Sequence, residues 1–505
     1  MDMTVAPTER EGGSDDELWD LPTNWCWTEI GSVARLRGEK VDPLDAPDLP
    51  FVGMDDIAND GLRILHTKSF ATMKSTGNKF EAGDILYGRL RPYLNKTAIA
   101  DSEGAASGEL LAIVSSIEPR FLQFYLHGRR FVNQAMSAVS GDRPRIDFPK
   151  IGGFSFPLAP LAEQRRIVER IDALFAEIAD GEAALEEARK GLETFRRSLL
   201  KAAVTGELTR DWRETNKPTE TGHDLLARIR AERAVKAPNG RDKRARAGEP
   251  LDTSELPDLP EGWAWARLDE IIVSGPTNGY SPKTSSDGSG TLSLKLTATT
   301  RGEIDLSDRA TKTLSETIEQ GSDLYLVPGD LLFQRGNTIE YVGIAAIYDG
   351  PESTYVYPDL MIRVRTSDRW LAEWIWRVAN SPMGRKFMMD NATGTAGTMP
   401  KISGAILRRL PIPIPPTSEI GEILRRVSEG LAVCSDAVTL FEVQTADAAR
   451  LRQAILKSAF EGTLVPQDPH DEPASALLTN ISARTVNPSK RHRASAKKTR
   501  GRSST

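Results

Sequence analysis

Leu21-Pro22-Thr23-Asn24-Trp25-Cys26-Trp27 returns 238 residues later as Leu259-Pro260-Glu261-Gly262-Trp263-Ala264-Trp265. Alone, such a pair is weak evidence. Further pairs follow in the same order. Gly83-Asp84-Ile85-Leu86-Tyr87 returns as Gly329-Asp330-Leu331-Leu332-Phe333 at an offset of 246. Pro149-Lys150-Ile151 returns as Pro400-Lys401-Ile402 at 251, and the run KAAVTGEL over 201–208 as KSAFEGTL over 457–464 at 256. Ordered anchors at slowly rising offsets mean two copies of one unit, with insertions in the second. Between the anchors the copies diverge: Gly88-Arg89-Leu90-Arg91-Pro92-Tyr93 stands opposite Gln334-Arg335-Gly336-Asn337-Thr338-Ile339. A shared frame with unlike loops reads as two domains doing one kind of job on different targets.

Each copy has two parts. The first, 21–160 and 259–415, is rich in Gly and Pro, with short apolar runs that read as strands. Segments 118–138 and 368–389 carry Phe121, Phe124, Tyr125 and Trp370, Trp374, Trp376 at helical spacing. Each first part is therefore expected to be an α+β domain. The second part, 161–208 and 416–464, reads as one long helix. Ile167, Ile171, Leu174, Ile178, Leu185, Leu192, Phe195 and Leu199 fall at steps of four and three, with Gly181 in a skipped place. The second copy keeps Ile423, Val427, Phe441, Leu451 and Ile455 in that frame, with Gly430 a weak point. That is a heptad seam, and the charged outer faces favour two helices packing on each other over plain burial in a bundle. Pro160 and Pro416 sit just before the helices, and Gly206 and Gly462 where left-handed caps belong.

The chain has 505 residues, more than one core usually organises. Its two cysteines exclude a disulfide framework, and its five histidines show no ligand spacing, so no metal site is expected. The acidic stretch 1–20 lacks an apolar core, and no run of 18 apolar residues is present. A cytoplasmic protein without membrane association is expected, with 1–20 disordered. A net charge of −6 means that any basic surface is local. Arg228, Arg230, Arg233, Lys236, Arg241, Lys243, Arg244 and Arg246 make 209–258 a basic linker, and 465–505 ends as a basic tail expected to be disordered. Either could touch phosphates or serve only as solvated chain.

If the helices pair antiparallel, the order domain, helix, linker, domain, helix closes on itself with a pseudo-two-fold axis. Two similar heads at a fixed separation suit duplex DNA with a divided site. A protein surface with two epitopes is the competing use.

The pattern resembles the specificity subunit of type I restriction–modification systems. The match is carried by the paired LP-x-x-W-x-W segments and the Gly-Asp-Ile/Leu-Leu strands. Pro160-Leu161-Ala162-Glu163-Gln164-Arg165-Arg166-Ile167-Val168 and the run from Phe195 to Leu208 add to it. The second copy departs from it, with Thr417-Ser418-Glu419-Ile420 in place of Leu-Ala-Glu-Gln. The resemblance implies two tandem α+β target recognition domains separated by two long helices pairing as an antiparallel coiled coil. It implies that each head reads one half of a gapped double-stranded DNA site. It implies docking of methyltransferase subunits, usually two, and of restriction subunits through them. Adenine-N6 methylation and ATP-dependent cleavage would belong to those partners, with S-adenosylmethionine, ATP and Mg bound there and no cofactor on this chain. The sequence itself has no Asn/Asp-Pro-Pro-Tyr/Phe motif and no G-x-x-x-x-G-K-S/T loop, so no catalytic residue is expected.

Base reading needs side chains that reach base edges, with Arg for guanine and Asn or Gln for adenine. The candidates are Arg89, Arg91, Tyr93, Arg143, Arg145 and Lys150 in the first head. In the second they are Gln334, Arg335, Asn337, Thr395, Thr398 and Lys401. Each has a plainer alternative. Arg89 could pair with Asp84 or Glu109. Lys150 and Lys401, at one place in both copies, could serve fold or phosphate. The paired tryptophans read as core, and Asp84 and Asp330 as strand-entry turn residues.

Overall fold

The computed structural model describes residues 18–59, 61–236, 251–286, 288–394 and 399–486. The chain divides into two compact units, one of Met1–Leu185 with Glu442–Thr505 and the other Glu186–Phe441. The helices Leu161–Val204 and Thr417–Phe460, 44 residues each, supply a segment to both units.

In the first unit a four-stranded antiparallel sheet runs in the order Ala34–Leu36, Leu110–Ser115, Ile85–Gly88, Thr97–Ile99. Ile85, Tyr87, Leu111 and Ile113 turn to the core formed with helices Pro119–His127 and Arg129–Ser137. Leu86, Ala98 and Ala112 turn the other way, to a second core with Val52, Phe80 and Ala106 of a five-stranded sheet. Burial on both faces explains why these strands read as continuous apolar runs. A ribbon of Cys26–Glu29 with Ser155–Leu158 brings the ends of the head together and delivers the chain to the long helix.

The second unit repeats the plan. Its sheet orders Ser274–Asn278, Met361–Arg365, Leu331–Gln334 and Ala345–Ile347. Leu331, Phe333, Ile362 and Val364 face helix Arg369–Asn380, while Leu332 and Met361 face the opposite core. Its ribbon pairs Ala264–Arg267 with Pro411–Ile414. The expected strand-entry role of the aspartates is visible. Asp84 accepts from Glu81 N–H at 2.8 Å, and Asp330 from Val327 N–H at 3.0 Å.

Within each unit the two long-helix segments run antiparallel, as expected. In the first, Glu182 pairs with Arg452, and Glu163, earlier in its helix, meets Gln467, later in the chain. In the second, Leu199 packs at Gly430 and Thr209 donates to Glu419 at 2.6 Å. Ile167, Ile171, Ile423, Val427 and Ile455 are buried, and Leu174, Ile178, Leu185, Leu192, Leu199 and Phe441 half-buried.

Two seam assignments are corrected: Phe195 is 49% exposed and Leu451 52%. A helix of 3.6 residues per turn drifts about 20° per heptad, so a strict count carries some positions out of the contact. Gly430 is no weak point. A Cβ there would lie 2.6 Å from Leu199 Cδ2, so the glycine makes room for that leucine.

The helix-end glycines are left-handed, with φ of 76° at Gly206 and 73° at Gly462. Gly206 abuts Pro260 in the second unit, and Gly462 abuts Pro22 in the first. Each helix end thus seats on the Leu-Pro segment of the other copy.

Two stretches read as linker and tail contain folded helices. Gly222–Lys236 buries Leu225, Leu226 and Ile229, and Gly222 N–H donates to Gly262 O at 2.6 Å. Ala474–Val486 buries Ala474 and Ile481, and Ala474 N–H donates to Asn24 O at 2.9 Å. These are counterparts in the two copies. Their apolar stripes are short, and the basic composition around them masks the period. Residues 237–250, with four of the basic linker positions, and 487–505 lie outside the described residues. So do 1–17 of the acidic stretch, while Trp19 packs edge-on against Trp27 with ring centroids 4.6 Å apart.

Candidate nucleic-acid interface

After strand Ile85–Gly88 the chain runs alongside residues 144–146. Arg89 N–H donates to Glu109 O at 2.9 Å, Arg91 N–H to Pro144 O at 2.7 Å, and Ile146 N–H to Arg89 O at 3.0 Å, with a bridge between Leu90 and Arg145. The second head makes the same four connections. Arg335 N–H donates to Leu360 O at 2.7 Å, Asn337 N–H to Pro400 O at 3.3 Å, and Ile402 N–H to Arg335 O at 2.8 Å, with a bridge between Gly336 and Lys401.

This corrects one sequence anchor. The counterpart of Pro400-Lys401-Ile402 is Pro144-Arg145-Ile146, 256 residues earlier, and not Pro149-Lys150-Ile151. Asp147 and Ser403 then both stand at the N-termini of short helices, Phe148–Gly152 and Gly404–Arg408. Lys150 lies inside the first of these and donates to Ala138 O at 2.9 Å. Identical letters drew the earlier pairing; shared hydrogen bonds decide the true one.

The laced loops bring Arg89, Arg91, Tyr93, Arg143 and Arg145 onto two adjacent segments. Arg89 is ion-paired with Asp147, and Arg145 with Glu109 at 3.0 Å. Neither carboxylate considered for Arg89 is its partner; Asp84 is held by Arg37 at 2.5 Å. Arg143 and Tyr93 are exposed. Arg91 is half-buried on a left-handed backbone, φ 52°, and has no ion pair among the described residues.

In the second head Gln334 is fully buried, which takes it off any binding surface. Strand parity puts it on the face of Leu332. Its amide donates to Leu296 O at 3.3 Å and Thr299 Oγ1 at 3.0 Å, and its oxygen accepts from Asn337 Nδ2 at 2.7 Å. Asn337 Oδ1 in turn accepts from Thr338 N–H at 2.8 Å. Arg335 is half-buried and donates to Asp359 O at 3.3 Å, and Lys401 is exposed. Thr395 and Thr398 lie outside the described residues.

Sequence reasoning missed Ile339, Tyr341 and Met399, exposed by 40%, 39% and 47%. It also missed Arg385, which clamps the loop of Ile339 and Tyr341 by donating to Val342 O at 2.7 Å and Glu340 O at 3.0 Å. Burial pulls the Arg385 pKa down. Exposed apolar residues leave no periodic signal in a sequence.

Of the paired tryptophans, the first of each pair is core, while Trp27 and Trp265 are only half-buried. Trp25 and Trp263 are buried, and each indole N–H donates at 2.9 Å to a buried carboxylate, Glu163 and Glu419. Burial pushes the Glu163 pKa up, against the bonds from Trp25 and Gln467. Among the described residues no group of three or more His, Cys, Asp or Glu could hold a metal ion, and no helix is long and apolar enough to cross a membrane.

Residues 22–187 match the family model described as Type I restriction modification DNA specificity domain. The chain is 31% identical over 229 residues to the Type I restriction enzyme EcoDI specificity subunit of Escherichia coli, covering 43% of this chain and 51% of that relative. It is 28% identical over 339 residues to the EcoKI specificity subunit of Escherichia coli K12, covering 65% of this chain and 63% of the relative. The alignments thus span about half and about three fifths of these relatives. A chain solved in work on complex assembly and conformational transition of the type I R-M system shares the fold. Its TM-score is 0.61 at 21% identity, with 88% of this chain and all of that one covered. The resemblance carried by the repeated motifs is thus met again over residues 22–187, which are similar to the DNA specificity domain of type I restriction–modification systems.

Proposed function

We propose that the chain is the specificity subunit of a type I restriction–modification complex, acting in the cytoplasm. It binds duplex DNA, reads one half of a gapped site with each head, and docks two methyltransferase subunits, and restriction subunits through them. It is non-catalytic. Methylation, with S-adenosylmethionine, and cleavage, with ATP and Mg, belong to those partners. The observation that carries this reading is the pair of laced loops. The same four main-chain connections hold both, yet the side chains they present are unlike. A rigid frame with exchanged side chains is what two sequence readers built on one plan require.

The test is a binding selection from a randomised duplex library, using the full chain with its methyltransferase. Two unlike short motifs around a fixed unspecified gap are expected. Binding without any enriched motif that disappears at moderate salt would reduce the contact to phosphate attraction and sink the reading. Arg335→Ala is expected to weaken one half-site only.

A further inference from the structure

We propose that Arg91 is the guanine-reading residue of the first head, with Arg89 and Arg145 as its positioning neighbours. This rests on the DNA-reading function proposed above. Arg89 and Arg145 are each engaged by a carboxylate, Asp147 and Glu109. Arg91 stands at the end of the lacing, opposite Pro144, and has no ion pair among the described residues. Its backbone is fixed on both sides, its N–H on Pro144 O at 2.7 Å and its carbonyl accepting from Leu94 N–H at 2.9 Å. A left-handed conformation is uncommon for a residue with a side chain, and it persists where the surroundings over-determine it.

The matching position in the second head sharpens the contrast. Asn337 makes the same main-chain bond, to Pro400, but its amide is consumed by Gln334 and Thr338. One frame position therefore offers a guanidinium with no ion pair among the described residues in one head and a satisfied amide in the other. A planar fork of donors on a rigid support matches guanine O6 and N7 in the major groove. The carboxylates of Glu109 and Asp147 on the same loops disfavour a phosphate there, whereas cytosine N4 can donate to a carboxylate.

The experiment repeats the duplex selection with the full chain and its methyltransferase, unaltered and as Arg91→Gly, Arg91→Lys and Arg143→Ala. Glycine suits the left-handed backbone, so Arg91→Gly removes the side chain without straining the loop; an unchanged melting curve checks this. Expected is loss of preference at one guanine of one half-site, with the other half unchanged. Affinity for the selected duplex should fall about tenfold to a hundredfold, and Arg91→Lys should not restore it. Arg143→Ala should weaken all sequences alike. If the unaltered complex selects a divided motif and Arg91→Gly relaxes no guanine, or weakens every duplex equally, Arg91 is not a base reader although the DNA function stands. If the unaltered complex selects no motif, both fall.

Discussion

The indole N–H of Trp25 donates to Glu163 Oε2 at 2.9 Å, tying the start of the first head to the first turn of its long helix. Trp263 and Glu419 repeat the bond at the same length. In the first unit Gln467 completes the carboxylate's partners; in the second, Thr209 and Arg213 do so. The bond therefore joins head, helix start and the end of the other helix.

Trp25→Phe keeps most of the ring but leaves a buried carboxylate short of a donor. The expected cost is about 1–3 kcal/mol, read as a lowered midpoint in chemical denaturation. Burial holds the Glu163 pKa above its ordinary 4.5 in the folded chain. Its contribution is thus present in full below that value and is lost as pH rises through the folded value. The stability difference between the unaltered chain and Glu163→Gln should shift toward Gln as pH rises past 4.5. A shift the other way would contradict the buried setting.

Glu182 and Arg452 join the two long helices in the first unit through bonds of 2.6 and 2.7 Å. Both side chains are about one-third exposed, so a double-mutant cycle should give no more than about 1 kcal/mol. The pairing lowers the Glu182 pKa. The coupling is present above the ordinary carboxylate value and should vanish as pH falls through the depressed one. Coupling that persists in acid would show the charge to be irrelevant.

Gly430→Leu should destabilise the chain by about 1–3 kcal/mol, since Leu199 already occupies the space its side chain needs. Leu199→Ala in the same chain should recover part of that loss. Strict additivity of the two changes in urea denaturation would mean that the residues do not meet.

Seven residues inserted at matched places in both long helices add about 10 Å to each. If helix length sets the spacing of the half-sites, the selected gap should grow by about three base pairs at 3.4 Å each. An unchanged gap would remove the helices from that role.

The duplication, the two long helices, their caps and the buried tryptophans were legible in the sequence alone. Each rests on local rules: a period of 3.5, a proline before a helix, a glycine after it, an apolar run between turns. Tertiary structure decided the rest, because it depends on which distant segments meet. Pro144-Arg145-Ile146 replaced Pro149-Lys150-Ile151 as a counterpart through hydrogen bonds that no comparison of letters contains. Strand parity turned Gln334 inward, and Leu199 gave Gly430 its purpose. Helical drift exposed Phe195 and Leu451. Among arginines that the sequence presents as equals, carboxylates at Asp147 and Glu109 engaged two and left Arg91 with no ion pair among the described residues. A charge's partner is set by the fold's long-range contacts, and only there does a candidate become a reader or a support.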